Sequence, residues 1–234
     1  MQNRYFIRIF IAAISVALIV GAVISFRTDT HNQTIETLPT PTDTDEITIV
    51  AFGDSLTAGY GLPVFETYPA QLENALRADG FSVRVINAGV SGETTRGNLE
   101  RATFVHSQSP NIVLLGIGGN DALRQLPIDD IRTNITKTID ILTQGENPPV
   151  VLLLRMQAPL NAGSAYKQSF DAVYPAIAKE YGLSLIPFIT PEVFLQRENL
   201  LPDGIHLNAM GNKVIVETYL VPALKPLLAE LRRD

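Results

Sequence analysis

The chain has 234 residues, 46% of them hydrophobic and 18% charged, with a formal net charge of −6. That acidity leaves no basic face to neutralise phosphates, which excludes a nucleic-acid partner and disfavours docking to anionic lipid by charge. With no cysteine in the chain, disulfides, thiolate catalysis, thiolate metal sites and cysteine-linked lipid anchors are excluded as well.

The first 27 residues stand apart from the rest. Arg4 and Arg8 precede an uncharged apolar run from Ile9 to Phe26, closed by Arg27. At roughly 18 residues this run is just long enough to cross a bilayer. It ends in bulky Ile24 and Phe26 and offers only a weak small-residue cleavage site, which favours an uncleaved signal anchor over a cleaved signal peptide. In either case the positive flank stays inside, and the remainder is expected outside the cytoplasm, membrane-anchored or secreted. Residues 28–45, rich in Thr, Pro and Asp, read as a flexible linker and contain His31 as a bystander. Residues 46–234 remain for one domain with a sizeable core.

Within that domain apolar runs and helical patterns alternate. Ile47 to Phe52 predicts a first strand, and Tyr68 to Ala78 a helix with Gly80 near its C-terminal cap. Phe81 to Ile86 predicts a second strand, Asn98 to Val105 a helix, and Asn111 to Leu115 a third strand. A helix over Ile128 to Leu142 precedes the aliphatic fourth strand Val150 to Leu154, whose composition suits a sheet buried on both faces. Ala165 to Tyr181 predicts one long helix capped by Gly182, Leu183 to Ile186 a fifth strand, and Ala209 to Leu231 a closing helix interrupted near Pro222. Strands alternating with helices imply an α/β fold. Five strands fit a flavodoxin-like, doubly wound parallel sheet, preceded here by an N-terminal transmembrane helix.

Ligands of such sheets bind beyond the carboxyl ends of the strands. Four Gly-rich polar turns fall there: Gly53-Asp54-Ser55-Leu56, Asn87 to Thr94, Gly118-Gly119-Asn120-Asp121, and Asp203-Gly204-Ile205-His206. A serine hydroxyl becomes a nucleophile only when a base takes its proton, and the base needs a partner that orients it. His31 lies in the linker and His106 at a helix end away from this rim, so His206 is the candidate base, Asp203 its partner and Ser55 the nucleophile. The N–H groups of Ser55 and Gly92 and the side-chain amide of Asn120 are candidate donors to an oxyanion. Each turn alone has an ordinary structural reading. Asp203-Gly204 is a common turn pair, Asn208 can simply cap the last helix, and Gly116-x-Gly118 lacks the remainder of a dinucleotide fingerprint.

Taken together, these blocks resemble the SGNH hydrolases, most closely the arylesterase, thioesterase I and lysophospholipase L1 branch, from Ile47 to about Leu228. The resemblance rests on Phe52 to Tyr60, Asn87 to Thr94, Gly118 to Asp121 and Asp203 to His206, with further matches at Tyr174-Pro175, Ala178-Lys179-Glu180 and Pro187-Phe188. It implies Ser55 as nucleophile, Gly92 and Asn120 in the oxyanion hole, and Asp203 and His206 as acid and base. It also implies that the loop Gln157 to Gly163, with Pro159 and Leu160, lines the acyl site. Ala158 and Ala162 are smaller than is usual in that loop, and Gly116-Ile117 replaces an acidic-leucine pair, which bears on chain-length preference. The activity implied is hydrolysis of aryl, thio-, lysophospholipid or other acyl esters through an acyl-serine intermediate, with no metal or cofactor. A carbohydrate O-acetylesterase and a non-catalytic binding module are the alternatives.

Overall fold

The computed structural model describes residues 46–232, so the expected N-terminal segment (1–27) and the linker (28–45) lie outside the described residues. No helix among the described residues is long and apolar enough to cross a membrane.

Five strands form one parallel sheet: β1 (Ile47–Gly53), β2 (Val83–Gly89), β3 (Ile112–Gly116), β4 (Val150–Arg155) and β5 (Ser184–Pro187). Their order is β2-β1-β3-β4-β5, the flavodoxin-like arrangement expected from the alternating pattern. Ile49 to Phe52 and Ile112 to Leu115 are fully buried, as continuous aliphatic runs must be when helices cover both faces. The helices in chain order are α1 (Ser55–Ala58), α2 (Tyr68–Ala78), α3 (Thr95–His106), α4 (Gly119–Leu123) and α5 (Ile128–Leu142), then α6 (Ser164–Asp171), α7 (Val173–Tyr181), α8 (Pro191–Phe194), α9 (Ala209–Ile215) and α10 (Val221–Leu231). Removing a buried branch such as Leu114→Ala would cost about 2–5 kcal/mol.

Three departures from the sequence pattern have local causes. The helix expected over residues 165–181 is two helices, because Pro175 has no N–H for the Asp171 carbonyl four residues back. The Asp171 carboxylate instead takes the Ala158 N–H at 2.9 Å and the Lys167 ammonium at 2.8 Å. Strand β2 starts two residues later than its apolar run, since the Phe81 N–H is held by the Leu76 carbonyl at 3.1 Å. It continues through Asn87-Ala88-Gly89 because ladder pairing with Ala51 to Gly53 depends on backbone, not hydropathy. Helix α3 begins at Thr95, whose N–H and hydroxyl are both held by the Asp121 carboxylate, at 2.8 and 2.6 Å. The closing helix is interrupted where expected: a π-helical turn over Val216–Leu220 meets Pro222.

One feature of the sheet positions the site. Gly53 pairs with Gly89 on one side and Gly116 on the other, so three glycines stand abreast at the carboxyl edge. A Cβ on Gly53 would meet the Thr57 hydroxyl at 2.1 Å, and one on Gly89 the Ala58 nitrogen at 2.1 Å. Their absence of side chains lets α1 sit directly on the sheet edge.

Candidate active site

Asp54 links the end of β1 to α1. Its carboxylate accepts the Leu56 N–H at 3.0 Å, and its carbonyl accepts the Ala58 N–H at 2.8 Å, closing a single tight turn. Ser55 therefore projects from the first position of α1, on the carboxyl rim of the sheet.

The hydroxyl of Ser55 lies 2.8 Å from Nε2 of His206, and Nδ1 of His206 lies 2.7 Å from the Asp203 carboxylate. A carboxylate only accepts, so Nδ1 carries the proton and the Nε2 lone pair faces the Ser55 hydroxyl. The second Asp203 oxygen accepts the Ile205 and His206 N–H groups at 2.9 and 3.0 Å. Desolvation pushes the Asp203 carboxyl up, but these N–H donors and the imidazole outweigh it and hold the pKa at about 2.

The loop carrying this pair is fastened at both ends. Leu201 donates its N–H to the His206 carbonyl at 2.8 Å, and Arg197 donates to the carbonyls of Leu201 and Pro202 at 3.1 and 3.0 Å. Asn208 is the N-cap of α9, as its ordinary reading has it, and its amide also donates to the Glu198 carbonyl at 2.6 Å. Tyr60 covers one face of the imidazole, with ring centroids 4.6 Å apart.

Asn120, on α4, lines the same cleft as Ser55 and His206. Its amide nitrogen donates to the Glu93 carbonyl at 3.0 Å, leaving its second hydrogen for a ligand. Gly92 is the residue before Glu93 and has φ +82°, a left-handed conformation that suits glycine. It is exposed and stands outside the cleft walls, but the Asn120–Glu93 bond ties its turn to α4. Beneath, the Glu93 carboxylate is held by Asn98 and by Arg101 at 2.7 Å, and Arg101 also donates to the Gly53 carbonyl at 3.0 Å. One guanidinium thus joins the turn before Ser55 to the turn bearing Gly92.

The cleft is about 370 Å³. Pro159 and Leu160 line it, as the resemblance implies, together with Leu123, Ile189, Phe194 and Ile205. The last four were not foreseen from the sequence. Ile205 lies inside a motif and Leu123 two residues beyond one, but Ile189 and Phe194 reach the site only because the chain after β5 folds back across it. Tyr60, Glu93 and Arg101 were missed as supporting groups; Tyr60 and Glu93 stood within the quoted blocks, where no sequence signal distinguishes support from turn-making. His106 is remote, its ring nitrogen 3.1 Å from the Leu142 carbonyl. No cluster of side chains among the described residues could hold a metal ion.

Comparison with known proteins decides the family. The GDSL-like Lipase/Acylhydrolase family model matches residues 51–214. The chain belongs to this family, and it is a serine ester hydrolase. An arylesterase of Vibrio mimicus is 35% identical over 160 residues, covering 68% of this chain and 78% of that protein. The thioesterase 1/protease 1/lysophospholipase L1 of Escherichia coli (strain K12) is 32% identical over 182 residues, covering 77% and 85%. Among solved structures, the psychrotrophic esterase EstA from Pseudoalteromonas sp. superposes with a TM-score of 0.72 at 27% identity, over 79% of this chain and 100% of its own. The SGNH-hydrolase family esterase AlinE4 gives a TM-score of 0.63 at 39% identity, over 79% and 96%.

Proposed function

We propose that Ser55, His206 and Asp203 form the catalytic triad of this hydrolase, and that its substrates are esters or thioesters of short to medium acyl chains. His206 Nε2 takes the Ser55 proton as Oγ attacks the acyl carbonyl, and Asp203 stabilises the imidazolium that forms. The Ser55 N–H, the Gly92 N–H and the Asn120 amide receive the developing oxyanion. His206 returns the proton to the leaving alcohol or thiol, which departs from an acyl-Ser55 intermediate. Water then adds to that acyl group, giving its proton to His206, and the collapse frees the acid and restores Ser55.

The observation that carries this reading is the unbroken chain of contacts Asp203–His206–Ser55 at 2.7 and 2.8 Å, opening into a cleft walled by Leu123, Leu160, Ile189 and Phe194. Apolar walls favour an acyl chain over a sugar ring, so the carbohydrate O-acetylesterase reading is the weaker one. The positively flanked apolar run Ile9 to Phe26 further supports an extracytoplasmic enzyme attached to the membrane by its N-terminus.

A p-nitrophenyl ester series from acetyl to decanoyl tests both parts. Ser55→Ala is expected to lower kcat about 10⁴-fold or more on every chain length with the fold retained. Wild type is expected to prefer chains longer than acetyl. Normal turnover by Ser55→Ala would overturn the mechanism, and activity confined to acetyl groups on sugars would overturn the substrate class.

A further inference from the structure

Exposed apolar side chains are normal when scattered, and informative when gathered on one face. Among the described residues eleven large apolar side chains are exposed, and nine of them follow the carboxyl ends of the strands, sit on the His206 loop or open the helix after it; only Phe104 and Val150 lie elsewhere. Leu123, Leu160, Leu195 and Ile205 are accounted for as cleft walls. Tyr60 is accounted for by its contact with His206. Val64, Phe65, Val90 and Met210 are not. They line no part of the cleft, and Val64 and Phe65 are 78% and 69% exposed.

Of these, Val64, Phe65 and Met210 form a connected shoulder beside the His206 loop. Val64 and Phe65 head a short 3₁₀ turn, Val64–Glu66, that follows Tyr60. The Gln71 amide donates to the Glu66 carbonyl at 2.7 Å and to the Ala209 carbonyl at 3.0 Å, which brings that turn against Met210. The shoulder thus adjoins the start of α9, the helix that directly follows the His206 loop. The rim cations do not make it a charge-binding surface. Arg124 donates to the Gly92 carbonyl and Arg197 to those of Leu201 and Pro202, and the chain carries a net charge of −6.

We propose that this shoulder docks the domain, cleft mouth first, onto a zwitterionic lipid surface, so that an ester-bearing amphiphile passes from that surface into the cleft. The proposal rests on the esterase reading above, because the shoulder frames the opening through which such a substrate enters. The occupant is a lipid surface because the contact is apolar, beside a cleft made for acyl chains, and unsupported by free charge. The chain before the domain allows it too. Thr28 to Asp45 can span at most about 60 Å, against a domain about 40 Å across. Although β1 begins at the edge opposite the cleft, a membrane-held N-terminus leaves the shoulder free to reach the same membrane.

The absence of cysteine makes the test direct. Phe65→Cys and, separately, Phe104→Cys in the full chain are labelled with an environment-sensitive fluorophore and mixed with phosphatidylcholine vesicles. Because both labels report on the same anchored chain, N-terminal attachment alone cannot favour one of them. The label at 65 is expected to brighten several-fold and to be quenched by brominated acyl chains, with the label at 104 unchanged. Equal response at both positions, or none at 65, would overturn the proposal. So would a label at 65 already shielded without vesicles, which would assign the shoulder to a second copy or to the chain's own N-terminal segment. As a second readout, Val64→Asp with Phe65→Asp is expected to raise the apparent KM for micellar lysophosphatidylcholine about tenfold or more. Its kcat/KM on soluble p-nitrophenyl butyrate is expected within about twofold of wild type. An unchanged micellar KM would contradict the docking role, whereas loss of the soluble reaction in wild type would count against the esterase reading itself.

Discussion

Two carboxylates flank the Ser55–His206 pair, and their surroundings push them in opposite directions. Asp54 lies under Ser55, 1% exposed, with few donors to replace its lost water. Burial raises its pKa to about 6, against the N–H groups of Leu56 and Gly119 and the attraction of His206, with Asp121 adding repulsion. Asp203 lies on the exposed loop with three donors aimed at it, and its pKa is held at about 2. In the proposed mechanism this difference gives the two acids different work. A partner for an imidazolium must stay ionised, which Asp203 does throughout the working range. Asp54 is better described as a clasp between the N-termini of α1 and α4, holding the nucleophile turn against the Asn120 turn.

If this division is right, Asp203→Asn should be the most damaging change to either acid. It keeps the shape but forces the wrong imidazole tautomer, and kcat is expected to fall about 10⁴-fold with little change in KM. A comparable loss from Asp54→Asn, with Asp203→Asn mild, would reverse the assignment. In the same cleft, Asn120→Ala removes one of the proposed oxyanion donors and should lower kcat by about 10²–10³. Steady-state kinetics on one p-nitrophenyl ester, with circular dichroism to confirm folding, measures all three.

The smallest effect is on stability, and it sharpens the contrast most. The folded pKa of Asp54 is above the ordinary value of 3.8, so the native state binds more protons between about 4 and 6. Its contribution therefore weakens stability as pH rises through that window. Asp203 is the reverse. Its folded pKa is below 3.8, so its contribution is present above about 4 and lost as pH falls toward 2. Urea midpoints at pH 5 and 8 should show Asp54→Asn gaining on wild type toward the higher pH. Asp203→Asn, a half-exposed site, should show only a small deficit at pH 8.

How much of this could be read from sequence depends on how local each feature is. The sheet was legible because Val151 to Leu154 and Ile112 to Leu115 are aliphatic runs buried on both faces, and because helices separate them. The meeting of Ser55 with His206, 151 positions apart, was legible because strand ends in a parallel sheet share one rim. What was not legible depends on how loops fold back. Ile189 and Phe194 become cleft walls through the path after β5, and Tyr60 meets the imidazole only once the Asp203–His206 loop closes over α1. The break at Ala172 was signalled by Pro175, but helical periodicity runs through it undisturbed. Asp54 showed the limit most clearly. As a residue of the Gly53-Asp54-Ser55-Leu56 block it could be quoted, while its burial and its tie to Gly119 belong to the folded state alone.

The central claim is that the Ser55 hydroxyl is made nucleophilic by His206. Reaction with a fluorophosphonate, followed by peptide mass spectrometry, addresses it directly, since phosphonylation marks the activated hydroxyl itself. A single adduct on Ser55, formed rapidly by wild type and at least about 10³-fold more slowly by His206→Ala, is the expected result. An adduct on a different residue, or equally fast labelling of Ser55 without His206, would contradict it.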